Sequence, residues 1–173
     1  MFKKKTFKIS LLILLAAVVL GYIPSYNCII PVKDATTADW NKKSYWYYPW
    51  GKSVTHKGID IFAKKGTPVL AAHKGIVIAT GNNKYGGNYV LVLGAKWRLS
   101  YYAHLEEIIA KKLSIVKQGE LIGKVGDTGN AKGKAPHLHF SIVAIIPKFD
   151  NIDNSIQGWK KMFYLNPTTF FKE

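Results

Sequence analysis

From residue 58 onward the chain is written in short apolar runs whose members alternate with polar residues: "GIDIFA", "TPVLAA", "GIVIAT", "NYVLVLG", "WRLSYYAHL", "LIGKVG" and "HLHFSIVAII". A period of two is the signature of strands with one buried face. The runs recur about every ten residues, the spacing of an all-β sandwich or barrel. Between them lie "KKGT", "GNNKYGG", "GAK" and "GDTGNAKGKAP", rich in the residues that turns require. The pattern predicts a mainly β protein, with helix confined to "EEIIAKKL" from Glu106 and a turn around "GWKKMF". No internal repeat and no second domain interrupt it.

The first residues follow a different pattern. Lys3, Lys4, Lys5 and Lys8 precede a largely apolar run over residues 9–23, the charged and hydrophobic regions of an export signal. No small-residue cleavage motif follows, so residues 1–30 are expected to be either a removable signal peptide or an inner-membrane anchor. The run is shorter than the roughly 20 residues that span a bilayer. Both alternatives place the rest of the chain outside the cytoplasm, in a periplasmic or other extracytoplasmic part of the cell envelope. Residues 31–50 form a lead-in that carries Trp40, Tyr45, Trp46, Tyr47, Tyr48 and Trp50. These rings are expected either to cover the edge of the core or to wall a substrate groove. For Tyr47 and Tyr48, core packing is the expectation. Residues 51–173 then form the main domain.

Charge narrows the partners. The formal net charge is +15, carried by 24 lysines and a single arginine against 10 acids. Nucleic-acid readers lean on arginine, whose planar fork pairs with phosphates and guanine. Scattered lysines instead suit an anionic envelope, so no nucleic-acid partner is expected. Cys28 is the only cysteine, which excludes an internal disulfide, and the preceding "SYN" does not fit a lipid-anchoring motif.

The chemistry lies in the histidines. In "PHLHF", His137 and His139 must share one face of a strand, with Leu138 and Phe140 on the other. Two imidazoles side by side either bind a metal or are structural. "HKGIDIFA" places His56 four residues before Asp60, an acid between Ile59 and Ile61. A buried carboxylate is costly unless paired, hydrogen-bonded or bound to a metal. "YYAHL" adds His104 at the end of another strand, and His73, at a turn in "AAHKG", is expected on the surface. Singly these motifs are weak. Their order, H-x-x-x-D, then H, then H-x-H, is much more specific.

Over roughly residues 51–143 the chain resembles the lysostaphin-type zinc endopeptidases that cut peptidoglycan cross-bridges, the LytM or M23 peptidases. The resemblance rests on "HKGIDIFAKKGTPVLAAHKGIVIATG", "GGNYVLVLG", "YYAHL", "VKQGELIGKVGDTGNAKG" and "PHLHFSI", in the family's order and spacing. It implies a compact antiparallel β sandwich with a zinc groove. By the same resemblance, His56, Asp60 and His139 are the ligands of one Zn2+ per chain, and His104 and His137 are the catalytic histidines beside it. The implied function is metal-dependent hydrolysis of peptide bonds in peptidoglycan cross-links or stem peptides by a monomeric chain, with peptidoglycan as the partner. Two features depart from the family pattern: Ser141 stands where an acid often follows His-Phe, and the loop before His137 is long. The alternative from a different class is a non-catalytic LytM-type envelope scaffold that activates an amidase. Such domains usually lose metal ligands, whereas all five site positions are filled here. A cationic module that merely binds anionic surfaces would leave Asp60 and the H-x-H pair without a physical reason.

Overall fold

The computed structural model describes residues 2–172. Its strands are β1 (Ile59–Phe62), β2 (Pro68–Leu70), β3 (Gly75–Asn83), β4 (Gly87–Gly94), β5 (Arg98–Ile108), β6 (Ile115–Val116), β7 (Leu121–Val125), β8 (His137–Ala144) and β9 (Tyr164–Leu165). Each alternating run of the sequence therefore becomes a strand. All strand pairs are antiparallel, in the order β1-β8-β5-β4-β3-β6. β9 adds to β8, and β7 joins β2 to the far end of β5. β5 is thus the spine of the fold, shared between two halves of one hydrogen-bonded network. The expected mainly β architecture is borne out.

Alternation decides what the strands bury. Ile59, Ile61, Leu138, Phe140 and Ile142 turn inward from β1 and β8 and are all but inaccessible to water. Val77, Val90, Val92 and Tyr102 meet them in the same core. Burying each such side chain contributes roughly 1.5–3 kcal/mol. The phenol of Tyr102, fully enclosed, accepts the backbone N–H of Ala72 at 2.9 Å, which offsets the cost of burying its polar end. Tyr26 and Cys28 of the first thirty residues, and Val32 and Trp40 of the lead-in, are buried in this core as well. Cys28 makes an isolated bridge with Phe171 near the other end of the chain.

One α-helix, α1 (Phe2–Tyr22), precedes the sheet. It meets the body where Trp97 Nε1–H donates to the carbonyl of Val18 at 3.0 Å. Among the described residues no helix is long and apolar enough to cross a membrane, and the side chains of Lys3, Lys4 and Lys5 lie outside the described part. The helix expected at "EEIIAKKL" does not form. Glu106, Glu107 and Ile108 continue β5, where Glu107 and Ile108 pair with Lys124 and Gly123 of β7. Cross-strand pairing outweighs an intrinsic preference worth only tenths of a kcal/mol per residue. The "GWKKMF" segment does turn, as a 3-10 helix over Gly158–Met162.

Candidate metal centre

The register of β1 against β8 creates the site. Asp60 lies directly opposite His139, and Phe62 opposite His137. Cross-strand partners project from the same face, so the acid and both imidazoles emerge together while the intervening isoleucines, Leu138 and Phe140 enter the core. His139 Nδ1 lies 2.8 Å from Asp60 Oδ1. His137 stands farther off, its Nε2 3.9 Å from Asp60 Oδ2.

His56 reaches this face from the loop before β1, whose path the aromatic lead-in controls. Trp46 N–H donates to the His56 carbonyl at 2.7 Å, and His56 N–H donates to that of Tyr47 at 3.0 Å. The ring stacks on Trp50 with centroids 4.1 Å apart. Gly58 is required for the close approach: a Cβ there would come within 2.5 Å of the Phe140 carbonyl oxygen and 3.0 Å of His139 Cε1. His56 Nε2 thereby sits 3.1 Å from both Asp60 Oδ1 and His139 Nδ1.

A bulge brings in His104. Asn88 of β4 faces Leu105, and Val90 faces Tyr102, so Tyr89 alone opposes both Ala103 and His104. The backbone of His104 is left-handed, with φ 64°. An extra residue of this kind re-aims a side chain that regular alternation would send to the other face. As a result, the imidazole of His104 packs 5.0 Å from that of His137 and 5.9 Å from that of His139, centroid to centroid.

Hydrogen bonds fix which nitrogens are free. A carbonyl can only accept, so each imidazole nitrogen that meets one must carry its proton. His56 Nδ1 donates to Ser44 O at 2.9 Å, His104 Nδ1 to Thr128 O at 2.9 Å, and His137 Nδ1 to Ala135 O at 2.8 Å. In the neutral rings, Nε2 of all three is therefore a lone pair. For His56 that lone pair faces a carboxylate oxygen and a second imidazole nitrogen, an arrangement that repels itself unless a positive charge lies among the three. The separations of 2.8, 3.1 and 3.1 Å approach the about 3.3 Å expected between donors in a tetrahedron with bonds near 2.05 Å. Two imidazoles and a carboxylate are a donor set that zinc accepts, and a fourth position would stay open. His56, Asp60 and His139 thus fit a metal ion. They are the one His/Asp/Cys/Glu group among the described residues whose donor atoms converge in this way, all within 4.8 Å.

Burial alone would raise the pKa of Asp60, but the imidazoles of His139 and His56 beside it outweigh that and hold the carboxyl far below its ordinary range. His104 moves the other way for a base: burial, then the neighbouring His139 and His137, pull it down to about 4. At neutral pH its ring is an acceptor.

The sequence profile of peptidase family M23 matches residues 54–151. The chain belongs to that family. Similar proteins include the peptidoglycan DD-endopeptidase ShyA of Vibrio cholerae, 39% identical over 97 residues that cover 56% of this chain and 22% of ShyA. Lysostaphin of Staphylococcus simulans is 38% identical over 104 residues, covering 57% of this chain and 21% of that protein. The chain therefore spans about a fifth of the length of these curated relatives. Among solved structures, the catalytic domain of lysostaphin from Staphylococcus simulans matches with a TM-score of 0.61 at 28% identity, over 81% of this chain and 100% of that one. A zinc-containing peptidase from Vibrio cholerae matches with a TM-score of 0.56 at 32% identity, over 67% of this chain and 36% of that one. The mainly antiparallel architecture is thus the lysostaphin-like fold of M23 peptidases.

All five residues singled out in the sequence of this M23 chain, His56, Asp60, His104, His137 and His139, meet at one place. Other expectations need correction. His73 is not on the surface: it is buried, its Nε2 2.7 Å from Ser100 Oγ, in a space that exists because Gly94 has no side chain, a Cβ there lying 2.4 Å from the ring. Tyr47 and Tyr48 do not pack in the core but are half exposed. Within the aromatic lead-in, Trp40 and Trp46 are buried, whereas Tyr47, Tyr48 and Trp50 remain open to solvent. Sequence reasoning missed Ser44, Thr128 and Ala135. Their contribution is a main-chain carbonyl, which any residue possesses, so no side-chain signal could have found them.

Proposed function

We propose that this M23 chain is a zinc-dependent endopeptidase that hydrolyses peptide bonds in peptidoglycan cross-links or stem peptides, outside the cytoplasm. The observation that carries the reading is the convergence of His56 Nε2, Asp60 Oδ1 and His139 Nδ1 beside two further imidazoles with free Nε2 atoms. The substrate class rests on the similar proteins named for peptidoglycan endopeptidase activity. The location rests on the lysines and apolar run of the first residues, the pattern of an export signal.

His56, Asp60 and His139 would hold the ion. Bound zinc supplies Lewis acidity and makes water acidic near pH 7. The chain's own residues supply the rest. Ser44 fixes the tautomer and orientation of His56, the outer support that such ligands need. His104 and His137, each tied at Nδ1 to a carbonyl, leave Nε2 beside the ligands, where a neutral ring can take a proton from the attacking water and a protonated one can donate to the leaving amine. The lowered pKa of His104 keeps its ring neutral, so that Nε2 can accept. Trp50, Tyr47 and Phe62 offer apolar walls against which an extended peptide can lie. The donor set is complete, which favours hydrolysis over the amidase-activating scaffold.

The test is a digest of intact peptidoglycan of two wall chemistries with and without chelator and added zinc, the released fragments being weighed. Loss of cross-linked fragments that chelator stops and zinc restores is the expected result. A folded, zinc-loaded chain that releases nothing from either wall would overturn the enzymatic reading.

A further inference from the structure

The only arginine of the chain lines a cavity that the metal centre does not use. Arg98 opens β5 and is just 8% exposed. Among the described residues no acid forms an ion pair with its guanidinium and no oxygen accepts from it. Its charge rests over two rings, 4.6 Å from the centroid of Tyr26 and 4.5 Å from that of Phe170. Aromatic rings stabilise the cation but do not satisfy its five N–H donors as oxygens would.

The cavity measures about 360 Å³ and is lined also by Lys148, Lys161, Asn151, Asn166 and Thr169. No carboxylate of the described residues lines it; Asp153 lies nearby, paired with Lys161 and close enough to act on Tyr45. Asn166 Oδ1 is occupied by the N–H and hydroxyl of Thr168, so what the side chain has left to offer is its amide N–H2. Arg98, Lys148 and a free amide donor therefore meet around this space, and among the described residues the one acid beside it, Asp153, is engaged by Lys161. A guanidinium fork matches a two-oxygen anion bidentately. The volume exceeds one such group several times over, at about 30 Å³ for a water, and so admits the larger molecule that carries it. Arg98, Ser100 and Tyr102 share one face of β5, whereas Ala103, opposite His139, lies on the other. The cavity is separate from the cleavage groove.

We propose that this cavity is an oxyanion site, taking a carboxylate or phosphate carried on a larger polar molecule through the Arg98 fork, Lys148 and the Asn166 amide. The assignment does not depend on peptidase activity. Because Arg98 is unique, its Nε–H gives a single NMR resonance that reports this cavity and not the metal centre. The full chain, labelled with 15N, is titrated at constant ionic strength with inorganic phosphate, with N-acetylglycinate and with neutral N-acetylglycinamide. The Arg98 resonance should shift saturably with one or both anions and stay still with the amide; phosphate alone would point to a phosphate-bearing ligand, and N-acetylglycinate to a carboxylate. Removing Arg98 would also release Tyr26 and Phe170, so the variant is Lys148→Gln, whose spectrum shows whether it is folded and in which binding should weaken about tenfold. No saturable shift with either anion, an equal response to the neutral amide, or unchanged titrations in folded Lys148→Gln would overturn the proposal.

Discussion

Truncating His139 and truncating His137 should have different consequences, although the two residues are separated by a single position. His139 Nδ1 lies 2.8 Å from Asp60 Oδ1 and 3.1 Å from His56 Nε2, within the triangle that fits an ion. His137 comes no closer than 3.9 Å to the same carboxylate, and its ring packs instead against His104 and Phe62. A structural zinc site is worth about 10–16 kcal/mol over four ligands, or roughly 3 kcal/mol for each. At about 1.4 kcal/mol per decade, His139→Ala should weaken zinc binding by about a hundredfold or more and abolish cleavage at limiting zinc. His137→Ala should keep zinc affinity within about threefold while cleavage falls by about 10²–10⁴, the usual worth of a positioned proton carrier. Competition against a chromophoric chelator measures the first quantity, and release of wall fragments the second. Equal loss of zinc in the two variants would refute the division of roles, whatever their activities.

Two further outcomes follow from the packing around the site. Gly58→Ala places a methyl group 2.5 Å from the Phe140 carbonyl oxygen, an atom held by the sheet, so it should cost about 1–3 kcal/mol and loosen His56; a urea midpoint equal to that of the parent would count against the close approach. His73 is pulled below its ordinary pKa chiefly by burial, against an opposing pull from the Lys74 carbonyl and with a lesser lowering from Arg98. The unfolded ring takes a proton near about pH 6.5 and the folded ring only at lower pH, so this contribution to stability is complete above that value and declines as pH falls toward the folded pKa. His73→Gln should flatten that acid limb relative to the parent in urea melts run from pH 7.5 to pH 5. An unchanged slope would show that the folded ring titrates normally.

Period two is a local property, and it was enough to place seven of the nine strands, all but the two-residue β6 and β9, and to put His137 with His139, and Asp60 between inward-facing isoleucines. It failed at "EEIIAKKL", where a helical composition is overruled by β7 lying alongside, and at His73, whose polar turn is covered by a strand that begins 25 residues later.

The sequence by itself therefore determined which residues share a strand face and which ligand types the chain possesses, because both depend only on neighbours in the chain. The tertiary structure alone decided that Asp60 stands opposite His139 across β1 and β8, and that His56 meets a nitrogen 83 residues away. It alone decided that a left-handed bulge turns His104 toward His137 and His139, and that the carbonyls of Ser44, Thr128 and Ala135 choose the tautomers. Apart from the short-range tie from Ala135 to His137, these are contacts between distant segments. Their geometry is set by register, which the whole core must satisfy at once: a slip of one residue would exchange the buried and groove-facing sets along an entire strand.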